Sequence, residues 1–234
     1  MSFTKVTLFV CLFFMVSSCN NSQNTEKVSK TTQKNVEKNE DVTPTTNPNA
    51  QKTIVFFGNS LTAANQLDPA VGFAGLTQVR LDSLGYDYRV VNAGLSGETS
   101  AGGLERVDWI LEQPVDIFIL ELGANDALRG LNLDKTYENL SGIFEKVKKA
   151  HPAAKLVLAG MLAPPNMGND YTEKFAAIYP RLANEYNAAL IPFLLDKVGG
   201  IPELNLADGI HPNEEGHAIV EKNVWAVLEG VVEQ

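Results

Sequence analysis

Residues 55–63 read VFFGNSLTA, an apolar run that stops abruptly at Gly58, Asn59 and Ser60. A short apolar run followed by glycine and small polar residues is typical of a buried strand that ends in a tight turn. Ser60 in this position has two interpretations, because a hydroxyl there can cap a following helix or act as a nucleophile at the strand end. The rest of the chain decides between them.

Four more apolar runs follow, and all five are near-continuous in Ile, Val, Leu and Phe rather than alternating with polar residues. They cover residues 53–57, 89–93, 115–120, 155–159 and 189–194. Such runs are typical of strands buried on both faces of a parallel sheet. Because helical patterns separate them, we predict an α/β fold, a three-layer α/β/α sandwich with a five-stranded parallel sheet.

The helical spacing is clearest in three segments of the second half of the chain. Its apolar positions are Tyr137, Leu140, Phe144 and Val147; Phe175, Tyr179, Leu182 and Tyr186; and Val220, Val224, Val227 and Val231. In the second of these segments, Asp170 and Glu173 have the spacing of a capping box. Pro180 lies inside it and predicts either a kink or a later start of the helix.

Glycines and polar residues follow the predicted strands at the points where the strands end. They occupy residues 58–60, 92–99, 121–126 and 207–212. Because ligands bind at the carboxyl ends of parallel strands, these loops predict one shared site. Serine, glycine, asparagine and an Asp–His pair together suffice for acyl transfer.

Each of these residues also has a purely structural interpretation. Ser60 could be a helix cap, Gly97 a turn glycine with positive φ, Asn125 part of a turn, and His211 a hydrogen-bonded surface residue. Their joint occurrence at successive strand ends favours the functional interpretation.

Four blocks carry a family resemblance: GNSLT (58–62), NAGLSGETS (92–100), LGAND (122–126) and DGIHP (208–212). The chain resembles the SGNH (GDSL) hydrolases from about residue 53 to residue 230, most closely their thioesterase I, lysophospholipase and arylesterase branch. The resemblance implies the flavodoxin-like SGNH hydrolase fold and hydrolysis of acyl esters, thioesters or lysophospholipids.

The resemblance also implies a role for each site residue. Ser60 would be the nucleophile, His211 its general base and later acid, and Asp208 the residue that orients His211. The backbone N–H groups of Ser60 and Gly97, with the side-chain amide of Asn125, would form the oxyanion hole. A helix expected to follow Ser60 would point its positive end at the same oxygen.

Asn59 departs from the family pattern, which has aspartate at this position. The family's aspartate is not the acid of the triad, and asparagine keeps its shape and one carbonyl acceptor. We therefore expect Asn59 to preserve activity, with an altered pH profile.

The remaining candidate residues concern substrate binding. In related proteins the loop at residues 164–168 borders the acyl groove, so Met161, Leu162, Pro165 and Met167 could line an apolar slot here; ordinary packing is an equal alternative. His151 and His217 are interpreted as structural.

Composition excludes several classes of function. Residues 51–234 carry 14 basic and 24 acidic side chains, a net charge of −10, which argues against a nucleic-acid partner. Both cysteines, Cys11 and Cys19, precede this segment, so it can form no disulfide or cysteine-based zinc site. No motif for a metal, nucleotide or other cofactor is present, and none is expected.

The first 50 residues indicate export. Lys5 precedes an apolar run at 6–16 that is too short to span a bilayer and fits a signal peptide. Val16-Ser17-Ser18-Cys19 resembles a bacterial lipobox, in which Cys19 would carry the lipid; an ordinary signal peptide containing a cysteine is the alternative. Residues 1–19 would be the signal, 20–50 a disordered tether and 51–234 the hydrolase domain.

Asn20 and Asn21 follow Cys19, and by resemblance to Gram-negative lipoprotein sorting they favour anchoring at the outer membrane. The domain would then face the periplasm or the exterior.

Three functions remain open on the sequence. The first is a lipid-anchored serine esterase acting on small-molecule or lipid acyl esters. The second is a carbohydrate O-acetylesterase, which would need a shallow polar groove. The third is a non-catalytic envelope lipoprotein that binds acyl chains. The sequence does not set the oligomeric state.

Overall fold

The structure, a computed structural model, describes residues 52–233. Five parallel strands form one sheet in the order β2-β1-β3-β4-β5. The strands are β1 (Lys52–Gly58), β2 (Tyr88–Gly94), β3 (Ile117–Glu121), β4 (Lys155–Ala159) and β5 (Ala189–Ile191). The helices are α1 (Phe73–Leu84), α2 (Ser100–Ile110), α3 (Ala124–Leu128), α4 (Leu133–Ala150), α5 (Asn169–Tyr186) and α6 (Glu214–Leu228). The predicted α/β architecture with a five-stranded parallel sheet is confirmed.

The two faces of β1 show why its apolar run is uninterrupted. Successive side chains of a strand point to opposite faces, and both Phe56 and Phe57 are buried. The Phe56 ring packs edge-on against Phe73 of α1 at 5.7 Å. The Phe57 ring stacks beneath the guanidinium of Arg106 of α2 at 4.3 Å. Helices therefore cover both faces of β1.

The helices sort into two layers. Helix α1 packs with α6, whereas α4 packs with both α2 and α5. This arrangement follows from right-handed crossovers that run from β1 to β2 in one direction along the sheet and from β2 to β5 in the other. Among the described residues, no helix combines the length and the apolarity needed to cross a membrane. The predicted signal, tether and Cys19 lie outside the described residues.

Two predicted strands are longer than the observed ones. Strand β3 begins at Ile117 rather than at residue 115. Strand β5 ends at Ile191 rather than at residue 194, because Pro192 has no N–H for a further ladder bond. Leu194 nevertheless stays fully buried and donates its N–H to the carbonyl oxygen of Gly160, which explains the apolar pattern beyond the strand.

The capping box predicted for α5 is wrong. The helix begins at Asn169, after Gly168, and no side chain caps its first turn. Asp170 lies inside that turn, where its carboxylate complements the helix dipole. The helix also runs through Pro180, so the proline does not mark its start. The apolar stripes of α4 and α5 are confirmed, since Leu140, Phe144, Phe175 and Leu182 are fully buried.

The helix expected immediately after Ser60 is absent. Residues 60–67 instead form consecutive turns, and the first α-helix starts at Phe73. Ala64 and Gln66 have positive φ values of 53° and 67°, which interrupt any helix in this segment. The proposed helix dipole behind Ser60 is therefore not available.

Candidate active site

Ser60 lies two residues beyond the end of β1 and is mostly buried, with 9% exposure. Its Oγ is 2.8 Å from Nε2 of His211 and 3.4 Å from Oδ1 of Asn59. The hydroxyl therefore caps no helix and points at an imidazole nitrogen that can accept its proton.

Asp208 and His211 lie in the loop that precedes α6. The Asp208 carboxylate accepts a hydrogen bond from His211 Nδ1 at 2.8 Å, and from the backbone N–H groups of Ile210 and His211 at 3.0 and 3.1 Å. These hydrogen bonds, that of the His211 side chain above all, lower the pKa of Asp208 to about 2. The carboxylate is thus ionised at neutral pH and fixes the ring so that Nε2 faces Ser60.

Gly97 and Asn125 line the same pocket as Ser60 and His211. Gly97 has φ +81°, a conformation that favours glycine. Asn125, in the short helix α3, donates one amide hydrogen to the carbonyl oxygen of Glu98 at 3.0 Å. Glu98 is itself held by a 2.6 Å ion pair with Arg106. The Asn125 amide is therefore oriented, with its second hydrogen uncommitted among these contacts.

The pocket has a volume of 590 Å³, within the range of small-molecule sites. Most of its wall is apolar. The apolar side chains that line it are Leu61, Ala124, Leu128, Met161, Leu162, Ala163, Pro164, Pro165, Phe193, Leu195 and Ile210. Three of the predicted groove residues, Met161, Leu162 and Pro165, are thus in the wall. Met167 is not among the lining residues; its methyl group lies beside Gly130 instead.

Two buried acids next to the site received no role from the sequence. Glu121, the last residue of β3, is 1% exposed and hydrogen-bonds the turn that carries Ser60. Asp126 is 2% exposed and accepts from Ser100 at the start of α2 and from Thr136 in the first turn of α4. For Glu121, the signal was an acid directly after the apolar residues 117–120, since such a group is rarely buried without partners.

The other two histidines lie away from Ser60. His217 is 1% exposed, and its Nδ1 accepts the N–H of Phe73 at 3.3 Å. Burial, with a smaller contribution from His211, lowers the pKa of His217 to about 4. His151 makes a 3.0 Å contact from Nε2 to the carbonyl oxygen of Leu111. Within residues 52–233, no cluster of three or more His, Cys, Asp or Glu side chains could hold a metal ion.

A parallel α/β sheet with a histidine-bonded serine at the end of its first strand, facing an apolar pocket, defines the class of α/β hydrolytic enzymes. Within this class, the chain belongs to the GDSL-like Lipase/Acylhydrolase family, whose model matches residues 56–219. It is therefore an ester hydrolase.

Individual relatives agree with this assignment. The chain is 42% identical to Esterase TesA of Pseudomonas aeruginosa over 180 residues, which cover 76% of this chain and 89% of that protein. It is 36% identical to Thioesterase 1/protease 1/lysophospholipase L1 of Escherichia coli, over 73% of this chain and 80% of that protein. The crystal structure of TesA superposes with a TM-score of 0.74 at 41% identity, covering 77% of this chain and all of that one.

Proposed function

We propose that the protein is a serine esterase that hydrolyses carboxylic acyl esters through a Ser60–His211–Asp208 triad and an acyl-enzyme intermediate. The observation that carries the proposal is the continuous pair of 2.8 Å hydrogen bonds, from Ser60 to His211 and from His211 to Asp208, at the wall of an apolar pocket. Nucleophile, base and orienting acid stand in the order that acyl transfer needs.

In the acylation half, Ser60 Oγ attacks the ester carbonyl while its proton moves to His211 Nε2. Asp208 stabilises the resulting imidazolium through the Nδ1–H bond. His211 then returns the proton to the leaving alcohol oxygen, the C–O bond breaks, and the acyl group remains on Ser60.

Each tetrahedral intermediate carries a negatively charged oxygen, which hydrogen-bond donors held in place by the protein must stabilise. We assign the backbone N–H groups of Ser60 and Gly97 and the Nδ2 of Asn125 to this oxyanion hole, because all three residues line the pocket beside His211. The hydrogen bond from Asn125 to Glu98 would pre-orient the amide before substrate arrives.

In the deacylation half, water takes the place of the alcohol. His211 Nε2 removes a proton from the water, which attacks the acyl carbon; the proton then passes to Ser60 Oγ as the ester bond breaks. The products are a carboxylic acid and free Ser60, so the cycle needs no further reactant.

The pocket wall favours acyl groups longer than acetyl. Eleven apolar side chains line it, and each buried methylene contributes about 0.8 kcal/mol. Esters, thioesters and lysophospholipids share this acyl portion, and the names of the relatives cover all three. A carbohydrate O-acetylesterase would instead need a polar groove around a small acyl slot.

The test measures kcat/KM of the full chain on p-nitrophenyl esters from acetate to palmitate. Ser60→Ala should abolish hydrolysis and fluorophosphonate labelling. Ser83→Ala, a serine on α1 whose hydroxyl bonds the Arg80 carbonyl, should change neither. A maximum at medium chains supports an acyl esterase, and a maximum at acetate alone would instead favour the O-acetylesterase. Absence of Ser60-dependent turnover would contradict the proposal and revive the non-catalytic interpretation.

We further propose that the enzyme is anchored to the bacterial cell envelope, in the outer membrane, through lipid on Cys19, with residues 20–50 as the tether. The lipobox-like sequence at 16–19 supports this, and two or more acyl chains would make the anchor stable. Metabolic labelling with a palmitate analogue should mark the wild-type chain and not Cys19→Ser, which should leave the membrane fraction. Equal labelling of both would contradict it.

A further inference from the structure

The Glu121 carboxylate binds the backbone on both sides of Ser60. Its Oε2 accepts the N–H of Asn59 at 3.1 Å and that of Thr62 at 3.3 Å, and the Thr62 hydroxyl at 2.9 Å. Its Oε1 accepts the Nδ2 of Asn59 at 2.7 Å. Four hydrogen bonds donated to this single side chain thus fix residues 59–62, the turn that presents the hydroxyl of Ser60 to His211.

Asn59 extends the same network to the other side of the turn. Its Oδ1 accepts the N–H of Leu61 at 2.9 Å and lies 3.4 Å from Ser60 Oγ. The amide is therefore used as both donor and acceptor, the donor toward Glu121 and the acceptor toward the Ser60 turn. A carboxylate in this position could accept the hydrogen bond from Leu61 but could not donate one to Glu121.

Gly58 provides the space for the carboxylate. A Cβ at this position would lie 2.2 Å from Thr62 Oγ1 and 2.6 Å from Glu121 Oε2. Glu121 faces Gly58 directly across the β1–β3 ladder. The close approach of the buried carboxylate to the turn therefore requires glycine here.

The groups that hydrogen-bond to the Glu121 carboxylate are all uncharged. No Lys, Arg or His among residues 52–233 forms an ion pair with it. Burial raises the pKa of Glu121 to about 7, and the hydrogen bonds from Thr62 and Asn59 oppose that rise. On neighbouring elements, the titratable group that feels its charge is Tyr179 of α5, whose hydroxyl donates to the Leu122 carbonyl oxygen.

We propose that Glu121 and Asn59 form a matched pair of positioning residues for Ser60, in which the Glu121 carboxyl group anchors the turn and the Asn59 amide supplies a donor to it. The inference rests on the proposed role of Ser60 as nucleophile. Glu121 acts only through the turn, whereas Asn59 also lies 3.4 Å from Ser60 Oγ; both hold Ser60 Oγ in line with His211 Nε2.

Reversing the polarity of the pair provides the sharpest test. Glu121→Gln places two amide groups against each other and should lower kcat at pH 8.5 by about tenfold or more, with KM nearly unchanged, because positioning is lost in the transition state. Asn59→Asp places two carboxyl oxygens where the 2.7 Å bond is now. The pair then shares one proton, so kcat should be near the wild-type value at pH 6 and fall as the pH rises and that proton leaves.

The double variant Asn59→Asp/Glu121→Gln restores one carboxylate and one amide with the hydrogen bond reversed. It should recover kcat relative to Glu121→Gln and lose the pH dependence of Asn59→Asp. The control is Glu221→Gln, a buried acid of α6 that pairs with Arg80 at 2.7 Å, away from the turn. It should lower the melting temperature and leave kcat unchanged.

Two outcomes would overturn the inference. One is a loss in the double variant equal to the product of the two single losses, which would mean that the residues are not a pair. The other is a fall in melting temperature alone for all three variants, as for Glu221→Gln, which would mean a merely structural role. Failure of the proposed function is a separate result, since it would appear as Ser60-independent or absent hydrolysis by the wild-type chain.

Discussion

Nε2 of His211 lies 2.8 Å from Oγ of Ser60, although 151 residues separate the two side chains along the chain. Strand β1 delivers the serine and the loop before α6 delivers the histidine, so the contact forms only when the sheet and its helix layers are complete. Activity should therefore report on the native fold as a whole.

Replacing Asp208 by asparagine should impair catalysis with little loss of stability. An amide beside Nδ1 allows the wrong tautomer of His211, and such a change costs about 10⁴-fold in kcat in other triads. About a third of the Asp208 side chain is exposed (32%), so water can replace part of its role, and we expect a loss of about 100- to 10,000-fold. Steady-state kinetics and a thermal melt of the same preparation check this, and a loss below tenfold would remove Asp208 from the triad.

Asn125→Ala should lower kcat by about 100- to 1,000-fold with KM nearly unchanged, since one oxyanion donor is worth about 2.7–4 kcal/mol of barrier. The matched control is Asn223→Ala on α6, a residue that does not line the pocket and whose amide likewise donates to carbonyl oxygens, those of Leu194 and Asp196. That variant should alter stability but not kcat. An effect of Asn125→Ala on KM alone would instead make it a substrate-binding residue.

The sequence was sufficient to predict the strands and helices whose apolar residues recur in a regular pattern. Continuous apolar runs predicted the five strands, and the helical spacing of residues such as Phe144 and Phe175 predicted the helices of the second half. The order of the loops predicted that Ser60, Asp208 and His211 would meet, because parallel strands bring their carboxyl ends to one edge. These features depend on periodicity and topology, which a single sequence carries.

The features that were missed depend on contacts between distant segments. Nothing local to Glu121 shows that four donors of another strand's turn surround it. The turns at Ala64 and Gln66 use positive φ without glycine, so the expected helix after Ser60 did not form. Likewise, Met167 was placed in the groove from its position in the loop, but its side chain turns toward Gly130.

Ala163→Phe should shorten the preferred acyl chain. Ala163 lines the pocket, and a phenyl ring there would occupy space for two to three methylenes, each worth about 0.8 kcal/mol on burial. We expect the ratio of kcat/KM for octanoate over acetate to fall by about 10- to 100-fold, with acetate itself little affected. Val79→Phe adds the same ring on the exposed face of α1 and should leave the ratio unchanged. An unchanged ratio in Ala163→Phe would mean that the acyl chain lies elsewhere.

His217 should make the protein less stable as the pH falls. The folded protein keeps this imidazole neutral, with its pKa lowered to about 4 chiefly by burial, whereas the unfolded chain takes up the proton below about pH 6.5. Stability from this group is therefore present above pH 6.5 and lost between pH 6.5 and 4, by about 3 kcal/mol in total. Glu121 acts with the opposite sign, since its raised pKa makes its contribution fall as the pH rises.

The contribution of His217 to stability is therefore obtained by comparing the pH dependence of the unfolding free energy in the wild type and in a variant. His217→Gln keeps an oxygen that can accept the N–H of Phe73 but does not titrate. Urea unfolding at pH 7.5 and 4.5 should show a smaller loss of unfolding free energy in His217→Gln than in the wild type, by about 2–3 kcal/mol. Equal losses in the two proteins would mean that the imidazole gains its proton in the folded state as readily as in the unfolded chain, and that its burial against Phe73 does not hold it neutral.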